Sequence, residues 1–205
     1  MTEAFKRRTP SQWGEGSALK EEILAAAARL LSESGREEAV SLRAVAREVG
    51  ISAPSIYLHF KDRSELVAAV TQRAYDGLVA ELREAWAREQ DGGPRAALRA
   101  MAQRYCLFAV EKPSRYRLMF GLQRITAPRA QSPLHPVWAL YETWEDAVAA
   151  CRGARRASAD SELDALLLWS SLHGIVAIAM ALPFEADREA IARRADNLLE
   201  RIMAG

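Results

Sequence analysis

The segment 40–63 carries the side chains of this chain that are best suited to bind a nucleic acid. The helical spacing of its apolar residues predicts two short helices, at 42–49 and from 53 to about 60, on either side of Gly50. Gly50 can adopt the left-handed conformation that ends a helix, and Ser52 can cap the next one. Two short helices joined by such a turn form the helix-turn-helix pattern, in which the second helix enters the major groove of DNA.

Four side chains are expected on the outer side of that second helix, and they suit direct contact with bases. Ala53 and Leu58 are apolar and can touch thymine methyl groups. Ser55 and His59 can form hydrogen bonds with base edges or phosphates. This helix carries no acidic residue, which would repel DNA.

Residues able to bind the flanking phosphates surround the helix. Tyr57 offers a phenol, and Arg43, Lys61 and Arg63 offer positive charge. Across 41–63 four cations face two acidic residues, a local net charge of +2, whereas the whole chain has 28 Lys and Arg against 27 Asp and Glu and a net charge of +1. The near-neutral charge of the whole chain argues against nucleic-acid binding through a generally basic surface, and the positive charge of 41–63 predicts a small basic face instead. An ordinary helical corner in an all-α domain would show the same periodicity, so both interpretations remain open at this point.

The segment is similar to the DNA-binding domain of the TetR family of bacterial repressors. The similarity covers about residues 18–70 and rests on Ser-Leu-Arg-x-Val-Ala from Ser41 and on Gly-Ile-Ser-x-x-x-Ile-Tyr-x-His-Phe from Gly50. Arg63 stands where the family commonly has Lys, an exchange that a phosphate contact tolerates. The resemblance implies a dimer whose recognition helices lie about one helical turn of DNA apart (~34 Å) or somewhat more. It also implies DNA-facing positions for Arg43, Ala53, Pro54, Ser55, Tyr57, Leu58, His59 and Arg63.

Length and composition fit a protein with a sizeable core. Half of the 205 residues are apolar, and the two cysteines, Cys106 and Cys151, fit reduced thiols of a cytoplasmic protein. The three histidines, His59, His135 and His173, lack the spacing of metal ligands, so we expect neither a metal nor a cofactor. No nucleophile paired with a base, and no paired-carboxylate motif, is evident, which argues against an enzyme.

Helical periodicity extends through the rest of the chain, and strand-like alternation is missing. We therefore expect an all-α fold of nine helices. Its predicted parts are a flexible N-terminal tail at 1–16, a helix-turn-helix DNA-binding domain at 17–66, and a ligand-binding and dimerisation domain at 67–205. The later helices are predicted at 63–87, 94–111, 115–122, 136–151, 161–182 and 187–203, with a loop at 123–136.

Aromatic residues concentrate between the predicted fourth and eighth helices, where helical bundles hold small molecules. An aromatic stripe at helical spacing is also typical of an ordinary core, so both interpretations stand for each residue. His173 likewise fits a hydrogen-bonded core histidine or a ligand contact. The predicted ligand-binding set is Trp86, Tyr105, Phe108, Tyr116, Met119, Phe120, Trp138, Tyr141, Trp144, Trp169 and His173.

The run Trp169-Ser-Ser-Leu-His173-Gly174 resembles the subgroup of TetR C-terminal domains that is named for a Trp-His-Gly motif.

The segment around this run, residues 165–184, contains no Asp, Glu, Lys or Arg, and an uncharged stretch of ~20 residues is long enough to cross a bilayer. No Lys or Arg cluster flanks either end, which favours a helix covered by protein on both sides over a membrane span.

Together with the ninth helix, this apolar helix fits a two-fold interface of four helices. The predicted dimer interface comprises Leu168, Leu172, Ile175, Ala179, Ile191, Ala195, Leu198 and Ile202. The sequence thus predicts a cytoplasmic homodimer that binds a double-stranded DNA operator as a transcriptional repressor and is released by a small hydrophobic ligand. The alternative is a helical small-molecule carrier or scaffold whose helix-turn-helix corner has no role in DNA binding.

Overall fold

The computed structural model describes residues 16–34, 40–121, 135–153, 159–182 and 187–203. These residues form nine α-helices and one short 3₁₀ helix, Gln90–Gly92, and they include no strand, which confirms the all-α prediction. Most of the predicted tail and of the predicted 123–136 loop lies outside the described residues. The helices are α1 Gly16–Ser34, α2 Leu42–Val49, α3 Ala53–Tyr57, α4 Arg63–Glu89, α5 Pro94–Glu111, α6 Pro113–Gly121, α7 Val137–Arg152, α8 Ala159–Ala181 and α9 Arg188–Met203.

The described residues fall into two compact units. The first comprises the residues up to 74 together with 117–121, and the second comprises 75–116 and the residues from 135 onward. Helices α4 and α6 therefore each contribute residues to both units.

The first unit is built around a small apolar core to which each of its helices contributes. Ile23, Val45, Ile56, Phe60 and Leu66 are at most 2% exposed. Burying such side chains removes apolar surface from water, which stabilises the packing of these helices by roughly 25 cal/mol per Å². The burial of Val45 on α2 and Ile56 on α3 agrees with the apolar spacing from which these two helices were predicted.

Local signals read from the sequence set the ends of α2 and α3. Ser41 Oγ accepts a hydrogen bond from the Ala44 amide at 3.1 Å at the start of α2. Gly50 ends that helix with a φ of 77°, a left-handed conformation that side chains with a Cβ rarely adopt. Ser52 Oγ accepts from the Ser55 amide at 3.3 Å and caps α3.

Two helices differ from their predicted bounds. Helix α3 was expected to reach about residue 60 but ends at Tyr57, because the chain leaves the helix in a tight turn that brings Phe60 into the core. The His59 and Phe60 amides both bond to the Ile56 carbonyl, at 3.0 Å. Helix α6 begins at Pro113, two residues before the predicted start, since a proline at the first helical position loses no hydrogen bond.

Helix α5 is the centre of the second unit and packs against α7, α8 and α9. Leu98, Met101, Tyr105 and Phe108 on this helix are at most 1% exposed. The burial of so many large side chains on one helix makes α5 the rigid element around which the second unit is organised.

Charged side chains tie α4, α5 and α9 together at the edge of this core. Arg104 lies between Glu81 on α4, at 3.4 Å, and Glu111, at 2.5 Å. Lys112 also pairs with Glu81, and Arg188 of α9 pairs with Glu111. The hydrogen bond from Arg104 is the largest cause that lowers the pKa of Glu111 below its ordinary value. A network of this kind fixes the relative positions of the helix ends more firmly than isolated surface pairs do.

Helix α8 has two different apolar sides. By length and composition alone its segment Ser161–Ala181 would be able to cross a membrane. Ala165, Leu168, Leu172, Val176 and Ala179 are completely buried against the rest of the second unit. The opposite side leaves large apolar side chains exposed, namely Leu163, Leu166, Leu167, Ile178 and, at the C-terminal end, Leu182.

Candidate functional site

The predicted DNA-binding residues all belong to the first unit, on α2, on α3, in the turn that follows α3 and at the start of α4. Two of them expose unusually large apolar surfaces: Tyr57 is 51% exposed and Leu58 is 85% exposed. Arg43, Pro54 and Lys61 are exposed as well, whereas Ala53, Ser55, His59 and Arg63 are half-buried. A leucine this exposed at the end of a short helix has no packing role, so it is free to contact a ligand.

A pair of hydroxyl groups sets the polar part of this surface. Ser52 Oγ and Ser55 Oγ are 2.6 Å apart, and Ser52 Oγ also accepts the Ser55 amide. If Ser52 donates its proton to Ser55, the Ser55 hydroxyl is left with its own proton to donate outward. The sequence predicted Ser52 as a helix cap and Ser55 as a DNA contact, but it gave no sign that the two hydroxyls are coupled.

The acidic residues near this surface are already engaged. Glu48 of α2 forms an ion pair with Arg29 of α1 at 3.2 Å. Asp62 Oδ1 accepts from the Glu65 amide at 2.9 Å, and Glu65 Oε2 accepts from the Lys61 amide at 2.6 Å, which caps α4. Because Glu48 is paired with a cation, its negative charge opposes a nearby phosphate less than the bare count of acidic residues implies.

The second unit contains a buried cluster of polar aromatic side chains. Tyr105 Oη accepts a hydrogen bond from Trp169 Nε1 at 3.1 Å and lies 3.0 Å from Tyr116 Oη. His173 Nδ1 is 3.2 Å from Tyr105 Oη and 2.5 Å from Tyr116 Oη. The cluster joins α5, α6 and α8 in the interior of the unit.

Burial sets the protonation of this cluster. It raises the pKa of Tyr105 and of Tyr116 well above 10 and lowers the pKa of His173 below 6.5. Both phenols are then protonated and His173 is neutral near pH 7; in the tautomer with the ring proton on Nε2, a tyrosine hydroxyl donates to Nδ1. Next to the cluster Trp144 meets Tyr105 edge-on at 5.7 Å, and Trp144 Nε1 is buried without a hydrogen-bond partner among the described residues.

A cavity of about 260 Å³ lies elsewhere in the second unit, between α4, α5 and α7. Its walls are mostly apolar. It is lined by Arg83, Trp86, Met101, Thr143, Asp146, Ala147 and Ala150. Its volume is close to the lower end of the roughly 300–1,000 Å³ that small-molecule sites occupy.

Two family models match the chain. Residues 23–70 match the model of bacterial regulatory proteins of the tetR family, and residues 98–202, just over half of the chain, match that of the tetracyclin repressor-like C-terminal domain. The chain belongs to the tetR family of bacterial regulatory proteins. The family's members are regulators rather than enzymes. The finer prediction that this tetR family protein falls in the Trp-His-Gly subgroup stays a prediction.

Individual relatives resemble this tetR family protein over different lengths. It is 32% identical over 108 residues to the HTH-type transcriptional activator FasR of Mycolicibacterium smegmatis, a match that covers 53% of the chain and 48% of FasR. The chain thus spans about half the length of the curated relative it matches. Two solved structures from Rhodococcus sp. RHA1 are similar over nearly their whole length. One, a protein with unknown function, is 28% identical to this chain with a TM-score of 0.73, and the match covers 93% of this chain and 98% of that protein. The other, a TetR-like transcriptional regulator, is 25% identical with a TM-score of 0.65, and the match covers 97% of this chain and 100% of that protein.

The structure separates the residues that the sequence grouped as ligand-binding. Only Trp86 among them lines the cavity described above. Tyr105, Tyr116, Trp169 and His173 form the polar cluster, with Trp144 edge-on to Tyr105 and Tyr141 6.1 Å from Trp169. Phe108 is fully buried on α5 and Trp138 half-buried on α7, while Met119 and Phe120 belong to the first unit.

The predicted dimer interface stays a prediction, but five of its eight residues have no exposed surface in the single chain. Leu168, Leu172, Ala179, Ile191 and Ala195 are completely buried within one protomer, so they have no surface left to bury against a partner. Ile175, Leu198 and Ile202 are half-buried and stay predictions. The periodicity of α8 could not show which side faces inward, because the helix is apolar on both sides.

Sequence reasoning also missed most of the cavity. Arg83, Met101, Thr143, Asp146, Ala147 and Ala150 were not singled out. On α7 the last four follow the spacing i, i+3, i+4 and i+7, which is one face of a helix. That spacing is a signal in the sequence, but small and charged residues at helical spacing are equally typical of a solvated helix face.

Proposed function

We propose that this tetR family protein is a sequence-specific DNA-binding transcriptional regulator that acts as a homodimer in the cytoplasm. The observation that carries the proposal is the exposed surface of Tyr57 and Leu58 beside the exposed cations Arg43 and Lys61. An apolar tip flanked by positive charge matches what a major groove offers, with thymine methyl groups inside and phosphates along both edges.

The division of labour follows from the chemistry of each side chain. Arg43, Lys61 and Arg63 bind phosphates and fix the orientation of α3, with Tyr57 contributing its phenol. Leu58, Ala53, Ser55 and His59 read base edges, and Pro54 lies beside them on the exposed side of α3. A single five-residue helix reads few bases, so specificity requires two copies at half-sites about one helical turn apart (~34 Å) or somewhat more.

We further propose that a small hydrophobic molecule, bound in the second unit, releases the protein from DNA. A ligand shifts a conformational equilibrium only by its differential affinity for the two states, and a hundredfold preference corresponds to about 2.7 kcal/mol. Helix α4 runs continuously from Arg63 beside the DNA-binding residues to Trp86 at the cavity, and it is the element through which the two events would be coupled.

The direction of regulation is the part of this proposal that most needs an experiment. The relative FasR is named a transcriptional activator, whereas we propose a repressor. A reporter placed behind the DNA upstream of this protein's own gene decides between the two. Deletion of the gene for this protein raises reporter expression if the protein is a repressor and lowers reporter expression if it is an activator.

DNA binding itself is tested by gel shift with that upstream DNA and an excess of unrelated competitor, at several salt concentrations. A regulator binds the specific fragment in the presence of competitor, with an affinity that falls as salt increases. A helical carrier or scaffold shows no preference for any fragment, and this result would remove the proposal.

A further inference from the structure

The cavity between α4, α5 and α7 has an apolar interior. Met101 and Ala147 are buried at its base, and the Trp86 ring forms one wall. The one hydroxyl among the lining residues, Thr143 Oγ1, donates to the Ala139 carbonyl at 2.7 Å. A charged or strongly polar group pushed into this interior would find little to replace its lost water, so the inner part of a ligand has to be apolar.

The charged side chains that line the cavity are exposed and carry opposite charges. Arg83 comes from α4 and Asp146 from α7. Neither has an ion-pair partner within 4.0 Å among the described residues. Many charged residues of the same unit are paired, among them Glu81, Arg104 and Glu111.

This arrangement sets the chemistry that the mouth of the cavity can recognise. A guanidinium binds a carboxylate through parallel hydrogen bonds, and a carboxylate binds an ammonium group. A molecule with only one of these groups would satisfy one side chain and bring a like charge towards the other. A molecule with both groups at the same end satisfies both.

We propose that this cavity binds a small zwitterionic amphiphile, with a compact apolar or aromatic body inside and an ammonium and a carboxylate group at the mouth, held by Asp146 and Arg83. The inference rests on the proposed function in that it takes this cavity as the effector site, and it narrows the effector from any hydrophobic molecule to an amino-acid-like one.

Three probes with nearly the same phenyl body test the charge requirement: L-phenylalanine as the zwitterion, 3-phenylpropionate as the anion and 2-phenylethylamine as the cation. Binding to the full chain without DNA is measured by titration calorimetry at pH 7 and constant ionic strength. We expect L-phenylalanine to bind at least roughly tenfold more tightly than either singly charged probe. Equal or tighter binding of the acid or the amine, or no binding of any probe, would overturn the inference.

Variants then assign each charge. Arg83→Met should remove the advantage of L-phenylalanine over the amine, and Asp146→Asn should remove its advantage over the acid. Matched controls are Arg88→Met, which changes an exposed arginine of α4 outside the cavity lining, and Glu142→Gln, which changes an exposed acid one turn before Asp146 on α7. Controls that behave like the cavity variants would contradict the assignment.

A third variant tests the location. Ala150 lines the cavity but is exposed, so Ala150→Phe narrows the entrance without disturbing the core. It should abolish binding of L-phenylalanine while the thermal unfolding midpoint stays close to that of the parent. Undiminished binding would show that the probe sits elsewhere and would overturn the inference. The proposal that the protein is a DNA-binding regulator is tested independently, by the gel shift in the absence of any probe. Failure of DNA binding and failure of zwitterion binding are therefore distinguishable.

Discussion

The Ser52 hydroxyl lies 2.6 Å from the Ser55 hydroxyl and at the same time caps the helix that carries Ser55. One side chain therefore holds both the start of α3 and the orientation of a hydroxyl on its outer side. If the Ser55 hydroxyl contacts a base, Ser52 influences base preference by orienting that hydroxyl, without contacting DNA itself.

Replacing Ser52 separates these two effects. Ser52→Ala should destabilise the fold by about 1 kcal/mol through the lost cap, and it should also alter base preference at the position that Ser55 contacts. Ser41→Ala is the matched control, since it removes the cap of α2 with a similar loss of stability and touches no residue of α3. Denaturant unfolding and binding to a set of base-substituted operators measure both quantities. Unchanged base preference in Ser52→Ala would show that the hydroxyl pair has only a structural role.

The two exposed apolar residues of the DNA-binding surface should behave differently. Tyr57→Ala should weaken binding to all DNA sequences by a similar factor, because a phosphate contact carries no base information. Leu58→Ala should weaken binding chiefly at sites with a thymine opposite it, by about 1 kcal/mol for the lost apolar contact, and should relax specificity there. Gel shifts with operators that carry uracil in place of single thymines identify the methyl group concerned. A uniform loss in both variants would place Leu58 away from the bases.

The exposed side of α8 is the surface at which we expect two copies to meet. Leu167→Glu and Ile178→Glu should convert the dimer into a folded monomer, because each puts a charge into an apolar contact while leaving the protomer core intact. Light scattering gives the mass, and circular dichroism shows whether the helices remain. The exposed neighbour Glu162 supplies the control Glu162→Gln. A dimer that persists in both Leu167→Glu and Ile178→Glu would place the interface elsewhere.

The polar cluster of the second unit should contribute to stability through Tyr105. Tyr105→Phe removes the acceptor for Trp169 Nε1 and leaves that part-buried donor without this partner, at a cost of about 1–3 kcal/mol. Tyr141→Phe is the matched control. Its hydroxyl donates to the Glu162 carbonyl at 3.3 Å in an exposed position, so its loss should cost about 1 kcal/mol or less. Urea unfolding of both variants makes the comparison, and equal losses would mean that the cluster contributes no more than a surface bond.

Acid should destabilise the protein through two half-buried histidines, His173 and His135. Burial lowers the pKa of His173 and of His135 below 6.5 in the folded state, so the unfolded chain takes up protons first as pH falls. The stabilisation that each neutral histidine provides is complete above about pH 6.5 and is lost as pH falls from there through the folded-state pKa. His173→Gln should reduce this loss, and His135→Gln measures the share of the second histidine. A pH dependence that neither variant changes would assign it to other groups.

Much of the first unit could be predicted because its signals are local. Ser41, Gly50 and Ser52 act on residues within four positions, and the buried faces of α2 and α3 follow from spacing alone. Where α3 ends was not predictable in this way, since it depends on the tertiary burial of Phe60.

The second unit was harder because its sites depend on contacts between distant parts of the chain. Tyr105 and His173 are 68 positions apart, and Arg83 and Asp146 come from different helices, so no spacing rule relates them. On α8 the difficulty had another cause. When a helix is apolar all round, its sequence does not show which side faces inward. For α8 the inward side is set by its packing with α5, α7 and α9.

The row of exposed leucines and isoleucine on α8 also bears on how much of the protein a cell needs. Where the active form is a loosely associated pair, halving the amount of chain lowers the amount of the pair by about fourfold. If two copies meet through this surface of α8, control of an operator by the pair would switch over a narrow range of synthesis rates, and the strength of that contact would set the amount of protein required.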